Sequence, residues 1–249
     1  MLKIIGVIPA RYASSRFPGK PLMDICGKPM IWWVYQQCKK VLELAEVYVA
    51  TDDERIQSVC VELGINVIMT SDTHLTGTDR VGEVARKIKA DLYLNIQGDE
   101  PMIEPETVSK AIAPFMEQPD LQVSNLMTEI KNPVDVVNFT VPKVITNSEN
   151  IGIYLTRSTT PYPKGRIDYN YYKQVCVYGF KPEALQFYCS TPRGKIESIE
   201  DIEILRFIEN GYRIQFVEVE SETVAVDTPN DLQKVRTIMS EKLQKGEIK

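Results

Sequence analysis

The stretch KIIGVI at residues 3–8 is the first of several short runs rich in valine and isoleucine. Further runs of this kind follow at residues 47–50, 66–69 and 92–96. Continuous apolar runs of this length are typical of strands that are buried on both faces of a parallel sheet. The segments between them have helical spacing, at residues 30–44, 54–63 and 79–89. This alternation predicts a doubly wound, mostly parallel α/β sheet of the Rossmann-like type, with ligands beyond the carboxyl ends of its strands.

The second half of the chain has a different rhythm. Strands are predicted at residues 141–145, 151–155, 175–180 and 213–219. A stretch rich in proline, glycine and tyrosine at 159–171 favours a small antiparallel excursion from the main sheet. Helices are predicted at 182–189 and 197–210, the second with Gly211 just beyond its end. A terminal helix begins near Pro229, with Asp227 or Thr228 as its N-cap.

The composition excludes several classes of protein. Hydrophobic residues make up 43% and charged residues 25% of the 249 residues, as in ordinary soluble globular proteins. The net charge of −5 argues against broad electrostatic binding to nucleic acid. Five widely spaced cysteines without a CxxC pair are typical of reduced thiols, and the first apolar run is too short for a signal peptide or a membrane span. We therefore expect a cytoplasmic protein that binds neither nucleic acid nor membranes.

The chain contains a single histidine, His74, in a loop-like stretch. A Ser-His-Asp or Cys-His mechanism would have to use this residue, and a zinc site would have only it and scattered thiols as soft ligands. The sequence therefore disfavours hydrolase triads and zinc enzymes.

A basic loop, ARYASSRFPGKPL at residues 10–22, follows the first strand. It is neither a Walker A loop nor a G-x-G-x-x-G turn. Its cations Arg11, Arg16 and Lys20 lie close to the carboxyl end of a strand, where backbone N–H groups and positive side chains converge on phosphates. We interpret it as a phosphate-binding loop rather than a solvated basic loop.

Two carboxylates are predicted to face this loop. Asp99 in Gln97-Gly98-Asp99 follows the fourth strand, and Asp227 precedes the terminal helix. Carboxylates in such a position can hold Mg²⁺ against phosphate oxygens. Together with the basic loop they indicate a magnesium-dependent phosphoryl or nucleotidyl transferase.

Several motifs in order resemble those of the 3-deoxy-manno-octulosonate cytidylyltransferase (CMP-Kdo synthetase) family. They are the basic loop, ATD at residues 50–52, GTDR at 77–80, QGDEP at 97–101 and VDTPNDL at 226–232. The resemblance extends from residue 3 to about residue 240. It implies the nucleotide-diphospho-sugar transferase fold, transfer of CMP from CTP to the anomeric hydroxyl of Kdo with release of pyrophosphate, a role in cell-surface polysaccharide or lipopolysaccharide synthesis, and a homodimer.

The same resemblance implies roles for individual residues on the nucleotide side. The expected contacts to CTP phosphates are those of Arg11, Arg16 and Lys20, with Lys20 nearest the reacting α-phosphate. Around the cytosine and ribose we expect Ser14, Arg80 and Gln97. Asp99 and Asp227 would hold Mg²⁺, so that Lys20, Asp99 and Asp227 form the catalytic set.

On the sugar side the resemblance implies Arg157, Gln174, Tyr178 and Glu203. Arg157 is suited to bidentate capture of the sugar carboxylate. Gln174 stands where relatives commonly have histidine, and Ile204 where they have glutamine. Both departures fall on the presumed sugar pocket, which leaves the acceptor open between Kdo and a variant of it.

We expect a single nucleotidyltransferase domain over residues 1–249, because no linker or repeat divides the chain. Residues 1–128 would mainly bind the nucleotide, and residues 129–249 would mainly bind the sugar and form the dimer, with the tyrosines of 169–172 at the subunit interface. Two alternatives stay open at this point: a nucleotidyltransferase that acts on a different sugar acid or a sugar 1-phosphate, and a non-catalytic nucleotide-binding regulatory subunit.

Overall fold

The computed structural model describes residues 2–13, 17–165, 168–220 and 224–248. The strands within these residues are β1 (Ile4–Ala10), β2 (Asp24–Ile25), β3 (Lys28–Pro29), β4 (Glu46–Thr51), β5 (Val67–Met69), β6 (Leu92–Ile96), β7 (Val123–Glu129), β8 (Lys143–Thr146), β9 (Gly152–Thr156), β10 (Tyr172–Phe180) and β11 (Ile214–Glu218).

The helices complete the order of elements. They are α1 (Met30–Cys38), α2 (Glu54–Glu62), α3 (Gly77–Lys87), α4 (Pro105–Lys110), α5 (Ala113–Glu117), α6 (Pro133–Val137), α7 (Pro182–Ser190), α8 (Lys195–Glu200), α9 (Leu205–Glu209) and α10 (Pro229–Gln244), with a 3₁₀ turn at Lys20–Leu22.

The main sheet has the strand order β11-β7-β10-β6-β1-β4-β5. Of these described strands, β10 alone runs against the others, because it pairs antiparallel with both β6 and β7 while the remaining neighbours pair in parallel. The predicted mostly parallel sheet is confirmed. The antiparallel excursion is also present, since β8 pairs with β10 and with β9. A separate small antiparallel sheet joins β2 and β3.

Alternate residues of β1 point to opposite faces of the sheet and into two cores. Ile4 and Ile8 pack with residues of α1, whereas Ile5 and Val7 pack with residues of α3. The sheet is therefore covered on both faces, which explains why its central strands are apolar without alternation. A third cluster packs α10 against β2 and α1.

Two predicted helices differ from the structure. The helix predicted at 30–44 ends at Cys38, and residues 39–44 continue as turns with i to i−3 hydrogen bonds. The helix predicted at 197–210 is instead two short helices, α8 and α9, separated by Asp201 with a φ of +50°. The carbonyls of Glu200 and Asp201 accept hydrogen bonds from Arg157 instead of from the next helical turn, which accounts for the break.

Strand β7 was not predicted, because Ser124, Asn125 and Thr128 interrupt its apolar pattern. It lies between β10 and β11, and these polar residues are buried. The end of α9 and the start of α10 follow the prediction: Gly211 has a φ of +79°, and Thr228 is the N-cap of α10 with Pro229 at its first turn.

Candidate active site

The 3₁₀ turn that begins at Lys20 is placed by the glycine before it. Gly19 has a φ of +71°, a conformation that side chains rarely adopt, and its N–H donates to the Tyr12 carbonyl at 2.8 Å. A Cβ at Gly19 would lie 3.2 Å from the Tyr12 ring. The loop after β1 is therefore folded back on itself, and this brings Lys20 to the carboxyl edge of the sheet.

Lys20 lies between the two predicted carboxylates. Its Nζ donates to Asp99 Oδ2 at 3.0 Å and lies 3.5 Å from Asp227 Oδ1. Asp99 follows β6, while Asp227 directly precedes the cap of α10. The backbone joins these segments as well, because Val226 N–H donates to the Asp99 carbonyl at 2.8 Å. The structure thus brings the predicted catalytic set together from three distant parts of the chain.

The remaining residues of the basic loop are only partly described. Arg11 is exposed after β1. Ser14 and Arg16 lie outside the described residues. The Arg55 guanidinium stacks on the Tyr12 ring at 3.3 Å from its centroid, so α2 supports the loop from the side.

Arg80 lies in the first turns of α3 and is 1% exposed. Its guanidinium donates to Asp52 Oδ2 at 2.9 Å, to the Ser71 carbonyl at 3.2 Å and to the Thr70 hydroxyl. These partners follow β4 and β5. Arg80 therefore ties together two loops at the carboxyl edge, and its predicted contact with the nucleotide stays a prediction.

Glu83 of α3 holds the loop that follows β5. Its Oε2 accepts from Ser71 N–H at 2.8 Å and lies 2.6 Å from His74 Nε2, and its Oε1 pairs with Lys87 at 2.7 Å. Burial alone would raise the pKa of this carboxyl, but the hydrogen bonds from Lys87, Ser71 and His74 outweigh it and lower the pKa to about 2. The single histidine is thus part of a structural contact beside the site.

Glu83→Gln is expected to remove the part of the stability that the Glu83 carboxylate supplies. The difference in free energy of unfolding between wild type and variant should therefore shrink as the pH falls from 5 to 2. A carboxyl whose pKa falls from 4.5 to about 2 on folding contributes stability that is present above pH 4.5 and is lost as the pH falls towards 2. The full contribution is about 3 kcal/mol. Urea unfolding of both proteins across this range measures it, with exposed Glu62→Gln as the control. An equal gap between wild type and Glu83→Gln at every pH would contradict the assignment.

A buried polar cluster lies beside the start of α3. Glu203 Oε2 accepts from Thr78 N–H at 3.1 Å, while its Oε1 is buried without a hydrogen-bond partner in the described part of the chain. Burial raises the pKa of the Glu203 carboxyl and that of the Tyr178 hydroxyl. Asn95, opposite Tyr178 in the sheet, also keeps a buried Oδ1 unpaired among the described residues. Both buried oxygens can accept a hydrogen bond from a ligand or from water.

Arg157 follows β9, and its guanidinium is engaged with the protein. It donates to the carbonyls of Phe139 at 3.2 Å and Asp201 at 3.0 Å, and to that of Glu200. The Arg157 carbonyl in turn accepts from buried Lys143 at 2.7 Å. In this conformation the hydrogen bonds of Arg157 link the end of β9 to the end of α8. Its capture of a sugar carboxylate stays a prediction.

Gln174 and Ile204 lie in different surroundings. Gln174 of β10 is half-buried, and its Nε2 donates to Asn125 Oδ1 at 2.8 Å. Ile204 is buried in the core at the start of α9. Sequence reasoning missed Asn125 and Asn95, because an asparagine inside a strand gives no signal of the partner it will meet across the sheet.

The comparisons with known proteins agree with this geometry. A family model described as cytidylyltransferase matches residues 5–215. The 3-deoxy-manno-octulosonate cytidylyltransferase of Solibacter usitatus is 41% identical, covering 98% of this chain and 97% of its own. The Escherichia coli protein of that name is 42% identical, covering 98% of both chains. The chain belongs to this family.

A solved structure supports the same family. The CMP:2-keto-3-deoxy-manno-octonic acid synthetase in complex with CTP superposes with a TM-score of 0.92 at 41% identity, covering 96% of this chain and 99% of that one. The nucleotide-diphospho-sugar transferase fold predicted from the motifs is thereby confirmed for this cytidylyltransferase family member.

The donor set of the site fits a hard cation. Asp99 and Asp227 supply carboxylate oxygens at the carboxyl edge of the sheet, and no group of three or more His, Cys, Asp or Glu suited to a metal occurs among residues 2–13, 17–165, 168–220 and 224–248. Two carboxylates are what Mg²⁺ uses when substrate phosphates and water complete its octahedron.

None of the described helices combines the length and the apolar character needed to cross a membrane.

Proposed function

We propose that the protein transfers CMP from CTP to the anomeric hydroxyl of Kdo, or of a close variant of this 2-keto-3-deoxy sugar acid, and releases pyrophosphate. The observation that carries the proposal is Lys20, held between Asp99 and Asp227 at the carboxyl edge of a cytidylyltransferase fold. The activated sugar would serve the synthesis of a cell-surface polysaccharide or lipopolysaccharide. A cytoplasmic location agrees with the use of CTP.

In this reaction the anomeric oxygen forms a bond to the α-phosphorus of CTP. The bond between the α-phosphorus and the bridging oxygen to the β-phosphate breaks, and that electron pair leaves with pyrophosphate. The hydroxyl proton passes to solvent. Little covalent chemistry is required of the protein, so positioning and charge neutralisation supply most of the rate.

The basic loop would bind the triphosphate. Lys20 contacts both carboxylates, and we assign it to the α-phosphate and the departing pyrophosphate. Arg11 and Arg16 would bind the outer phosphates. Ser14, Arg80 and Gln97 would surround the cytosine and ribose, with Arg80 acting through the loops that it ties together.

Asp99 and Asp227 would hold Mg²⁺. When bound there, the ion neutralises phosphate oxygens and so favours attack on the α-phosphorus. Without phosphates, Lys20 neutralises the same two carboxylates.

The acceptor would lie beside β10. Tyr178 and Glu203 border the cluster of unpaired buried oxygens, which suits a ligand rich in hydroxyl donors. Arg157 completes the proposed sugar set. One N–H of Gln174 is already committed to Asn125. Because relatives commonly have histidine where this glutamine turns to Asn125, we expect the acceptor specificity to depart from strict Kdo preference.

The proposal also states which half of the chain binds each substrate and how the subunits assemble. Residues 1–128 contain the basic loop and Asp99, and residues 129–249 contain the residues proposed to bind the sugar. Exposed apolar side chains of the second half suit a homodimer: Val134, Val137, Phe139, Ile153, Tyr162 and Tyr169. Sedimentation velocity tests this, and a monomer at micromolar concentration would contradict it.

A pyrophosphate-release screen tests the function. The purified protein is incubated with each of the four nucleoside triphosphates and a panel of acceptors: Kdo, Kdo analogues altered at distal hydroxyls, other sugar acids and sugar 1-phosphates. We expect release only with CTP and a 2-keto-3-deoxy sugar acid. Turnover only with a sugar 1-phosphate would favour the alternative transferase, and nucleotide binding without turnover would favour a regulatory subunit.

Lys20→Ala is expected to lower kcat far more than it raises the KM for CTP. A charge aimed at the reacting phosphate contributes most where negative charge develops, which is the transition state. Steady-state kinetics with exposed Lys28→Ala as the control measure the split. A variant whose sole defect is a raised KM would make Lys20 a binding residue only.

A further inference from the structure

Strand β10 contains a bulge at the level of the candidate active site. Val175 pairs with Leu126 of β7, but the next pair is Tyr178 with Asn125, so that Cys176 and Val177 have no counterpart on β7. Bulges of this kind redirect side chains and backbone groups near active sites. On its other edge, β10 remains paired with β6 from Val177 onwards.

Asn125 fills the gap that the bulge opens. This residue is 0% exposed, and its Nδ2 donates to the carbonyls of Val175 at 2.9 Å and Val177 at 2.8 Å. Its Oδ1 accepts from Gln174 Nε2 at 2.8 Å. All three bonds are buried or half-buried. The two from Nδ2 satisfy the carbonyls on both sides of Cys176, and the third satisfies Asn125 Oδ1.

The bulge in turn holds the loop that leads to Asp99. The Cys176 carbonyl accepts from Gln97 N–H at 3.2 Å, which extends the hydrogen bonding of β10 one residue past the end of β6. Gln97 is the first residue of the loop, and Gly98 turns tightly against the sheet: a Cβ there would lie 3.2 Å from Ile8 and 3.4 Å from the Pro9 carbonyl. The position of Asp99 therefore depends on a loop with little freedom at its start.

We propose that Asn125 and Gln174 are positioning residues for the loop that begins at Gln97 and carries Asp99. Gln174 orients the Asn125 amide, and Asn125 holds the β10 bulge. The Cys176 carbonyl in this bulge fixes Gln97 and hence Asp99. This assigns Gln174 an inward role distinct from contact with the sugar. The kinetic consequence rests on the proposed function, whereas the structural consequence can be measured without it.

Asn125→Asp tests the first step. The new carboxyl has the same size but lacks the two N–H donors of the amide. Ionised it donates to neither carbonyl, and protonated, as its burial favours, it can donate to only one of them. We expect the exchange of the Gln97 amide hydrogen, followed by NMR, to speed up by about 10-fold or more. We expect kcat to fall by about 10- to 100-fold with a smaller change in the KM for CTP, because small displacements around the reacting atoms are costly.

Gln174→Leu and Gln174→His test the second step in a half-buried position that tolerates change. Leucine removes the donor to Asn125, whereas histidine keeps an N–H donor. We expect Gln174→Leu to speed exchange at Gln97 and to lower kcat, and Gln174→His to stay close to wild type in both. A rise in the acceptor KM for Gln174→Leu, with exchange at Gln97 unchanged, would show that Gln174 contacts the sugar instead.

Ser124→Ala is the matched control. Ser124 is the neighbouring buried residue of β7, and its Oγ donates to the Ala111 carbonyl at 2.6 Å, away from the bulge. Its loss should reduce stability without changing exchange at Gln97 or the kinetic constants. Unchanged Gln97 exchange in both Asn125→Asp and Gln174→Leu would overturn the proposal. If the wild type transfers no CMP, the proposed function fails, and the exchange experiment still decides the positioning role.

Discussion

Asp99→Asn and Asp227→Asn are each expected to abolish turnover at limiting magnesium while the fold stays intact. Both carboxylates face Lys20 at the carboxyl edge of the sheet, where the triphosphate is proposed to bind. Loss of one charged ligand for Mg²⁺ removes transition-state stabilisation of several kcal/mol, which corresponds to a rate loss of about 100-fold or more. Pyrophosphate release as a function of magnesium concentration measures the effect.

The control is Asp120→Asn, which removes the same charge at an exposed position in the turn before β7. It should leave the magnesium dependence unchanged. Thermal unfolding of all three variants should resemble that of the wild type, because Asp99 and Asp227 lie at the carboxyl edge of the sheet rather than in the hydrophobic core. Near-native turnover of either site variant at limiting magnesium would remove that residue from the metal site.

Glu197→Gln is expected to cause the largest loss of stability. Arg206 donates through Nε and Nη2 to the two oxygens of Glu197, each at 2.7 Å, and its Nη1 donates to the carbonyls of Tyr188 and Thr191. Glu197 is 0% exposed and Arg206 is 3% exposed. The substitution removes the charge of the bidentate partner and leaves Asp79 Oδ1, 3.8 Å from Nη1, as the carboxylate near the buried guanidinium. Removal of one partner of a buried ion pair typically costs about 3–5 kcal/mol.

Asp201→Asn is the matched control in the same segment. The Asp201 carboxylate pairs with Arg193 at 3.0 Å, but its side chain is 80% exposed. Exposed pairs contribute about 0–1 kcal/mol, and asparagine tolerates the positive φ at this position. Urea unfolding monitored by circular dichroism compares the two variants. Equal free energies of unfolding for Glu197→Gln and Asp201→Asn would contradict the importance of the buried pair.

The first half of the fold was predictable because its strands are covered on both faces. Continuous apolar runs such as KIIGVI admit few alternatives to a buried parallel strand. Strand β7 was not predictable in this way. Its buried Ser124 and Asn125 are satisfied by the Ala111 carbonyl and by the β10 bulge, and these partners are distant in sequence.

The same limit explains the break between α8 and α9. The apolar spacing of residues 197–210 is helical, yet the carbonyls of Glu200 and Asp201 turn to Arg157, more than 40 positions earlier in the chain. Local propensity predicts the two helical pieces. It cannot predict the hydrogen bonds from the Arg157 guanidinium, which lies just after β9.

The candidate site shows which kind of residue a sequence can assign. The basic loop, Asp99 and Asp227 were predicted to face one another because the loop and Asp99 follow strands and Asp227 precedes a helix. The resemblance then singled out Lys20, and the structure brings the three residues together. Arg80 and Arg157 were predicted from charge and resemblance alone. In the structure their guanidinium groups bind protein oxygens, since a sequence shows a charge but not its partner.

Transfer of CMP to the sugar is tested most directly by ³¹P NMR of CTP incubated with magnesium and Kdo that carries ¹⁸O in its anomeric hydroxyl. If the hydroxyl attacks the α-phosphorus, a new phosphodiester resonance appears with an ¹⁸O-shifted signal, together with unlabelled pyrophosphate. Unreacted CTP, or pyrophosphate that forms without a labelled sugar nucleotide, would contradict the proposed reaction.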